Sequence, residues 1–178
     1  VNIELKHIYR QDNQRFIKIL NEVRNNNLSD DSITELNKRY LPDFTPKQDE
    51  GYITLTTHNE RANVLNDKEL EKLKGKSKSY KALIQGKFQE SSYPTHEKLI
   101  LKKGAQVMFI KNDSNPEKRY YNGKIGTIIA LDKKEIRVYC QGDLEDIIVT
   151  PETWDNVSYT LHPKTKEISE NSIGSFSQ

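Results

Sequence analysis

The sequence predicts an α+β chain in which a partial layered α/β segment precedes a small antiparallel β-barrel. Three observations carry this. Before residue 74 apolar residues recur at helical spacing. From Tyr80 that period vanishes, and short runs rich in β-branched and aromatic residues take over. Between two of those runs stands Asn122-Gly123, a pair favoured where both turn residues need positive φ, as in a type I′ hairpin.

Taken in order, Ile3, Leu5 and Ile8-Tyr9 predict a short strand leading to Arg10-Gln11. Asp12 can cap a helix whose stripe is Phe16, Ile19, Leu20 and Val23, ended by Asn25-Asn26-Asn27. Ser29 or Asp30 can cap a second helix with Ile33, Leu36 and Tyr40 on one face, and Pro42 and Pro46 bracket a loop. Tyr52–Thr56 reads as a strand, Thr57-His58-Asn59 as the turn after it, and the following residues as a helix with Ala62, Leu65, Leu70 and Leu73 inward. Two strands cannot complete a layered sheet, so this segment is partial. Lys74–Ser79 is a basic turn. Ala82–Phe88, Leu99–Leu101, Gln106–Ile110, Ile125–Leu131, Ile136–Cys140 and Leu144–Val149 are the expected strands, with Gln141-Gly142-Asp143 a turn and Gly104 and Gly126 bends. Trp154 is expected to close the barrel core, and the residues after Leu161 to run extended along the surface.

The 178 residues suffice for one ordinary domain or two small ones. Lys and Arg number 28 against 26 Asp and Glu, a net charge of only +2, which by itself does not announce a nucleic-acid partner. Cys140 is the single cysteine, which excludes an intramolecular disulfide and a cysteine-based zinc site and fits a reducing cytoplasm. His7, His58, His96 and His162 show no ligand spacing, so no metal site is expected. No apolar run approaches the ~20 residues of a membrane span, and no signal peptide is evident, so a cytoplasmic protein with no membrane partner is expected. A start at Val1 without Met and an end at Gln178 read as a piece of something longer.

Four blocks resemble a known family. Leu5 with Ile8-Tyr9-Arg10-Gln11 and Phe16 is similar to the fourth motif of PIF/RecD-like superfamily 1 DNA helicases. Tyr52–Asn66 resembles the next block. Leu101–Gly126, from Leu-Lys-Lys-Gly-Ala-Gln-Val-Met-Phe-Ile-Lys-Asn-Asp to Asn-Gly-Lys-Ile-Gly, resembles the SH3-like insertion. Trp154, Tyr159 and Ile173–Gln178 resemble the approach to a later motif. The resemblance implies that residues 1–97 are part of a second RecA-like motor domain, 98–160 an SH3-like barrel inserted in it, and 161–178 an extended return segment. It further implies an ATP-dependent DNA helicase moving 5′ to 3′, active in DNA repair and recombination. ATP and Mg²⁺ belong to the full-length protein and none is expected in this piece alone. Its partners are single-stranded or forked DNA and the first RecA-like domain of the same polypeptide. Gly75-Lys76-Ser77 has Leu70 where a phosphate loop needs its first glycine, so the piece is expected to be inactive alone.

Site residues follow. The resemblance gives Arg10 the γ-phosphate, for which a permanently charged, planar guanidinium is suited; the plain alternative is a surface pair with Asp12. Gln11 is a local support or a nucleotide contact. Thr57, His58 and Asn59, at a strand-to-helix junction, suit a nucleic-acid phosphate, or simply cap the helix. Lys111, Lys118, Arg119, Tyr120 and Tyr121 interleave cations with aromatics, as a single-strand track does, or form a solvated hairpin. Lys72, Lys74, Lys76, Lys78 and Lys81 are a charge run that serves a DNA backbone or only a wet face. The rival function is a non-enzymatic SH3-like module for nucleic acid or peptides. A nuclease ranks last, since no acidic pair is placed to hold two metals.

Overall fold

The computed structural model of the protein describes residue 3 and residues 11–46, 50–133 and 135–178. Arg10 and the strand expected around Leu5 and Ile8-Tyr9 lie outside the described residues. The chain divides into two units, Val1–Lys47 and Gln48–Gln178.

In the first unit, helix α1 (Gln14–Arg24) is capped by Asn13, whose side chain accepts from the Phe16 amide at 3.0 Å; Asp12 is one residue too early for that bond. The helix ends where Asn26 turns left-handed (φ 52°), a conformation asparagine tolerates. Helix α2 (Asp30–Asn37) is capped by Ser29. Ile19 is buried, while Phe16, Leu20, Val23, Ile33 and Leu36 keep a large exposed share. Two polar ties join the helices. Arg15 donates to Glu35 at 2.6 Å, and Glu22 accepts from the Ser29 amide at 3.1 Å and hydroxyl at 2.9 Å. The Ser32 hydroxyl, then the Ser29 bonds, pull the Glu22 carboxyl from 4.5 down to about 2. A depressed folded-state value means that this stabilisation is whole above 4.5 and is lost as pH falls towards about 2. Helical ellipticity should therefore fall over that window, and the loss should be smaller in Glu22→Gln, which has no such proton to take up.

The second unit opens on helix α3 (Asn59–Lys72). As the sequence predicts, Ala62, Leu65, Leu70 and Leu73 form its covered face, and Leu70 and Leu73 pack on the core. Residues 53–56 belong to no sheet among the described residues, against the predicted strand; β propensity is a packing preference and shows only inside a ladder.

Among the described residues nine strands follow: β1 (Lys78–Lys81), β2 (Leu83–Gly86), β3 (Lys98–Leu101), β4 (Gln106–Met108), β5 (Ile125–Leu131), β6 (Ile136–Tyr139), β7 (Ile147–Val149), β8 (Thr153–Leu161) and β9 (Ile168–Ser177). All pair antiparallel, in the orders β1-β3, β2-β9-β8 and β4-β5-β6-β7. The mixed α+β composition is thus as expected, but the sheets are open and do not make one closed barrel. The physical reason lies in β8. It pairs with β9 and not with the β4–β7 meander, from Thr153↔Ser177 to Leu161↔Ile168 with a register shift at Asn156/Val157. Of the tail after Leu161, β9 runs extended and exposed up to Ile173, as expected, and lies between β2 and β8 only over Gly174–Ser177.

The core of the meander is Ala105, Tyr120, Ile128, Val138, Cys140 and Ile147, with Leu101 and Val107 packed against it. Gly126 permits this closeness: a β-carbon there would stand 2.4 Å from Val138 Cγ1 and 2.7 Å from Cys140 Sγ. A second cluster centres on Phe176, with Phe88, Tyr93 and Trp154 around it. Gln178 binds the sheets together, donating to the Tyr80 and His96 carbonyls at 3.0 and 3.1 Å and accepting from the Thr95 hydroxyl.

Candidate nucleic-acid interface

The start of α3 carries the first group of site residues. His58 is the N-cap and gives no side-chain capping bond. The Thr56 hydroxyl donates to the His58 carbonyl at 2.9 Å, and the Thr57 hydroxyl lies 2.8 Å from His58 Nδ1. Asn59 is already inside the helix. The plain capping role for Thr57 or Asn59 is therefore not the one adopted, and all three side chains are exposed.

The second group lies on the loop between β4 and β5. At its base Lys111 donates to Glu152 at 2.8 Å and the Thr153 carbonyl at 2.7 Å, with its ammonium 5.2 Å from the Trp154 ring centre. At its far end the loop closes on Asp113, which is 1% exposed. One carboxylate oxygen accepts from the Asn115 amide at 3.0 Å and side chain at 2.8 Å; the other accepts from the Arg119 amide at 3.0 Å and Nε at 3.3 Å. Burial pushes this carboxyl up, but the bonds from Asn115 and Arg119 outweigh it and hold the group below its usual range. Lys118, held left-handed at φ 48°, donates from Nζ to the Asp113 carbonyl at 3.0 Å. Such a backbone costs a non-glycine about 1–3 kcal/mol and persists where neighbours over-determine it.

The loop returns through a turn closed by the Lys124 amide on the Tyr121 carbonyl at 3.0 Å. Only Gly123 has positive φ (97°), as a type II turn requires, and not Asn122 as well, as type I′ would. The Asn112 side chain accepts from the Asn122 amide at 2.8 Å, which fixes that geometry. The two tyrosines part company here. Tyr120 is 6% exposed, stacked on Phe109 at 4.3 Å, whereas Tyr121 is 62% exposed. Burial, then the Glu152 and Asp113 charges, raises the Tyr120 phenol.

Gln11 accepts from the Asn13 amide at 2.9 Å and so supports the α1 cap. In the lysine run Lys72 pairs with Glu69, Lys78 donates to the Leu131 carbonyl and Lys81 faces Glu97. Gly75-Lys76-Ser77 leaves a helix and runs into β1. A phosphate loop runs from a strand into a helix so that amides at the helix start face the phosphate, so this segment does not fit a nucleotide. Among the described residues no cluster of three His, Cys, Asp or Glu is placed to hold a metal ion, and no helix is long and apolar enough to cross a membrane. Sequence reasoning gives Asn112-Asp113 only a structural role in the barrel and does not single out Glu152. The spacing Asp113-x-Asn115 with Arg119 six residues on is the signal that could have found Asp113.

No protein-family model matches the chain. It is 29% identical over 166 residues to the ATP-dependent DNA helicase PIF1 of Xenopus laevis, covering 86% of this chain and 25% of that protein. Among solved structures it matches Bacteroides sp. Pif1 in complex with ADP-AlF4 (34% identity, TM-score 0.80, 97% of this chain and 38% of that one). It also matches Bacteroides Pif1 bound to ssDNA (34%, TM-score 0.62, 99% and 39%). The chain therefore spans a quarter to two-fifths of the length of these relatives. Relatives by sequence and by structure agree, and the chain belongs to the Pif1 helicase family, corresponding to part of its members' length.

Proposed function

We propose that this chain is the DNA-gripping part of the second RecA-like motor domain of an ATP-dependent DNA helicase that moves 5′ to 3′. Residues 98–160 are its SH3-like insertion, residues 1–97 belong to the motor domain and residues 161–178 lead back to it. The observation that carries this is the likeness to Pif1 helicases along nearly the whole chain, one of them solved with single-stranded DNA. The strand order supports the insertion. β2 runs out and β9 runs back beside it, Gly86 opposite Gly174, as the two ends of an inserted unit should.

In the parent protein ATP and Mg²⁺ are held outside this chain, by the first RecA-like domain, and Arg10 reaches the γ-phosphate with Gln11 in support. Thr57, His58 and Asn59 offer hydroxyl, imidazole, amide and unspent helix-start donors to a single-strand phosphate. The β4–β5 loop offers Lys118 and Arg119, with Tyr121 as the ring free to stack on a base; Lys111 and Tyr120 hold the loop in shape. Forked DNA is the natural substrate of such an arrangement, and the piece alone, with no phosphate loop, is inactive as an ATPase.

The test is titration of the 178-residue chain into a labelled oligothymidylate at several salt concentrations. The expected result is binding whose log K falls linearly with log salt, with a slope of about −0.7 per phosphate neutralised. Binding that ignores salt, or none at low salt, overturns the single-strand reading.

A further inference from the structure

We propose that Asp113 is a positioning residue that aims Arg119 at a single-strand phosphate, an inference that rests on the reading of the β4–β5 loop as a DNA contact. A guanidinium carries five N–H donors in a fixed fork. Asp113 engages one of them, Nε at 3.3 Å, and also takes the Arg119 amide at 3.0 Å, so backbone and side chain are both anchored. Arg119 nevertheless keeps 38% of its side chain exposed, and no described contact engages its two terminal nitrogens.

The other loop cations each give one or two of their three N–H donors inside the protein. Lys111 serves Glu152 and the Thr153 carbonyl, Lys118 the Asp113 carbonyl, and Lys124 the Asp143 carboxylate and the Arg119 carbonyl. Arg119 is thus the loop cation whose two terminal nitrogens carry no described contact, held on a loop ordered before any ligand arrives. Ordering in advance spares the ligand that cost, and a terminal fork suits bidentate contact with phosphate.

The sign of one substitution separates positioning from plain electrostatics. Asp113→Asn removes a negative charge, so electrostatics alone predicts tighter binding of a polyanion. Positioning predicts weaker binding, because an amide offers one acceptor where two oxygens now collect four donors. With a labelled oligothymidylate, Asp113→Asn is expected to weaken binding about tenfold and to lower the salt slope by about 0.7, one phosphate contact. Arg119→Ala should do the same, and the double variant should be no worse than either. Arg119→Lys, which leaves Asp113 intact and lacks the Nε contact, should repeat the loss and serves if Asp113→Asn does not fold. Tighter or unchanged binding in Asp113→Asn, additive losses in the double variant, or wild-type binding in Arg119→Lys overturns the proposal while leaving the loop a DNA contact. Absence of oligonucleotide binding by the wild-type chain removes the underlying reading and the proposal with it.

Discussion

Replacing Arg10 by alanine in the full-length protein is expected to lower ATP turnover about 10³–10⁵-fold, the range for an arginine that meets a transferring phosphoryl group. That range corresponds to about 4–7 kcal/mol of transition-state stabilisation. Nucleotide affinity should hardly change. The ground-state phosphates are expected to be held by the first motor domain, and an arginine that acts on developing charge contributes to kcat rather than to binding. Arg10→Lys should rescue little, since an ammonium is a point charge without the planar fork. The competing role, a surface pair with Asp12, is worth about 0–1 kcal/mol at most and would leave turnover untouched. Steady-state hydrolysis with saturating single-stranded DNA, set beside equilibrium nucleotide binding, separates the two. Unchanged turnover, or turnover and nucleotide binding lost together, removes the role. Gln11, the next residue, braces the α1 cap by accepting from the Asn13 amide.

What could be read from sequence was what periodicity encodes. The inward face of α3 and the bounds of β5 (Ile125–Leu131) match expectation because a repeated apolar spacing reports one covered face whatever covers it. What could not be read depends on a second segment. Tyr120 and Tyr121 are adjacent and chemically alike, and alternation says that one points in without saying which; the stack on Phe109 decides. Asn122-Gly123 fits more than one turn, and the Asn112 side chain on the Asn122 amide makes the choice. β9 spaces its apolar residues Ile168, Ile173 and Phe176 without strict alternation, so its place between β2 and β8 is invisible until those partners are known. Asp113 looks like a turn former because its four donors come from the turn; that the same carboxylate is buried is a property of the packed loop.

Phe176→Ala is expected to cost about 3–5 kcal/mol, the range for emptying a fully buried aromatic site. The ring is 0% exposed, with ring centres 5.1 Å from Tyr93, 5.9 Å from Phe88 and 6.1 Å from Trp154, the last edge-on. Each aromatic pair adds about 0.5–1.5 kcal/mol beyond buried area. Position multiplies the damage. Phe176 sits on the middle strand, opposite Ile84 on one side and Trp154 on the other, so the cavity touches both ladders of the sheet. At about 2–4 °C per kcal/mol for a chain of this size, the midpoint should drop by roughly 6–20 °C. Trp154 is the only tryptophan and adjoins the cavity, so its emission reports the transition directly. Tyr159→Ala is the control. It lies on the outer part of the same hairpin, 64% exposed, and should stay within about 0.5 kcal/mol of the parent. Equal losses from the two substitutions would mean that β8 and β9 are held by their own ladder alone. A large loss from Phe176 with little from Tyr159 would place the stability of the return strand in the aromatic cluster, where β2, β8 and β9 meet.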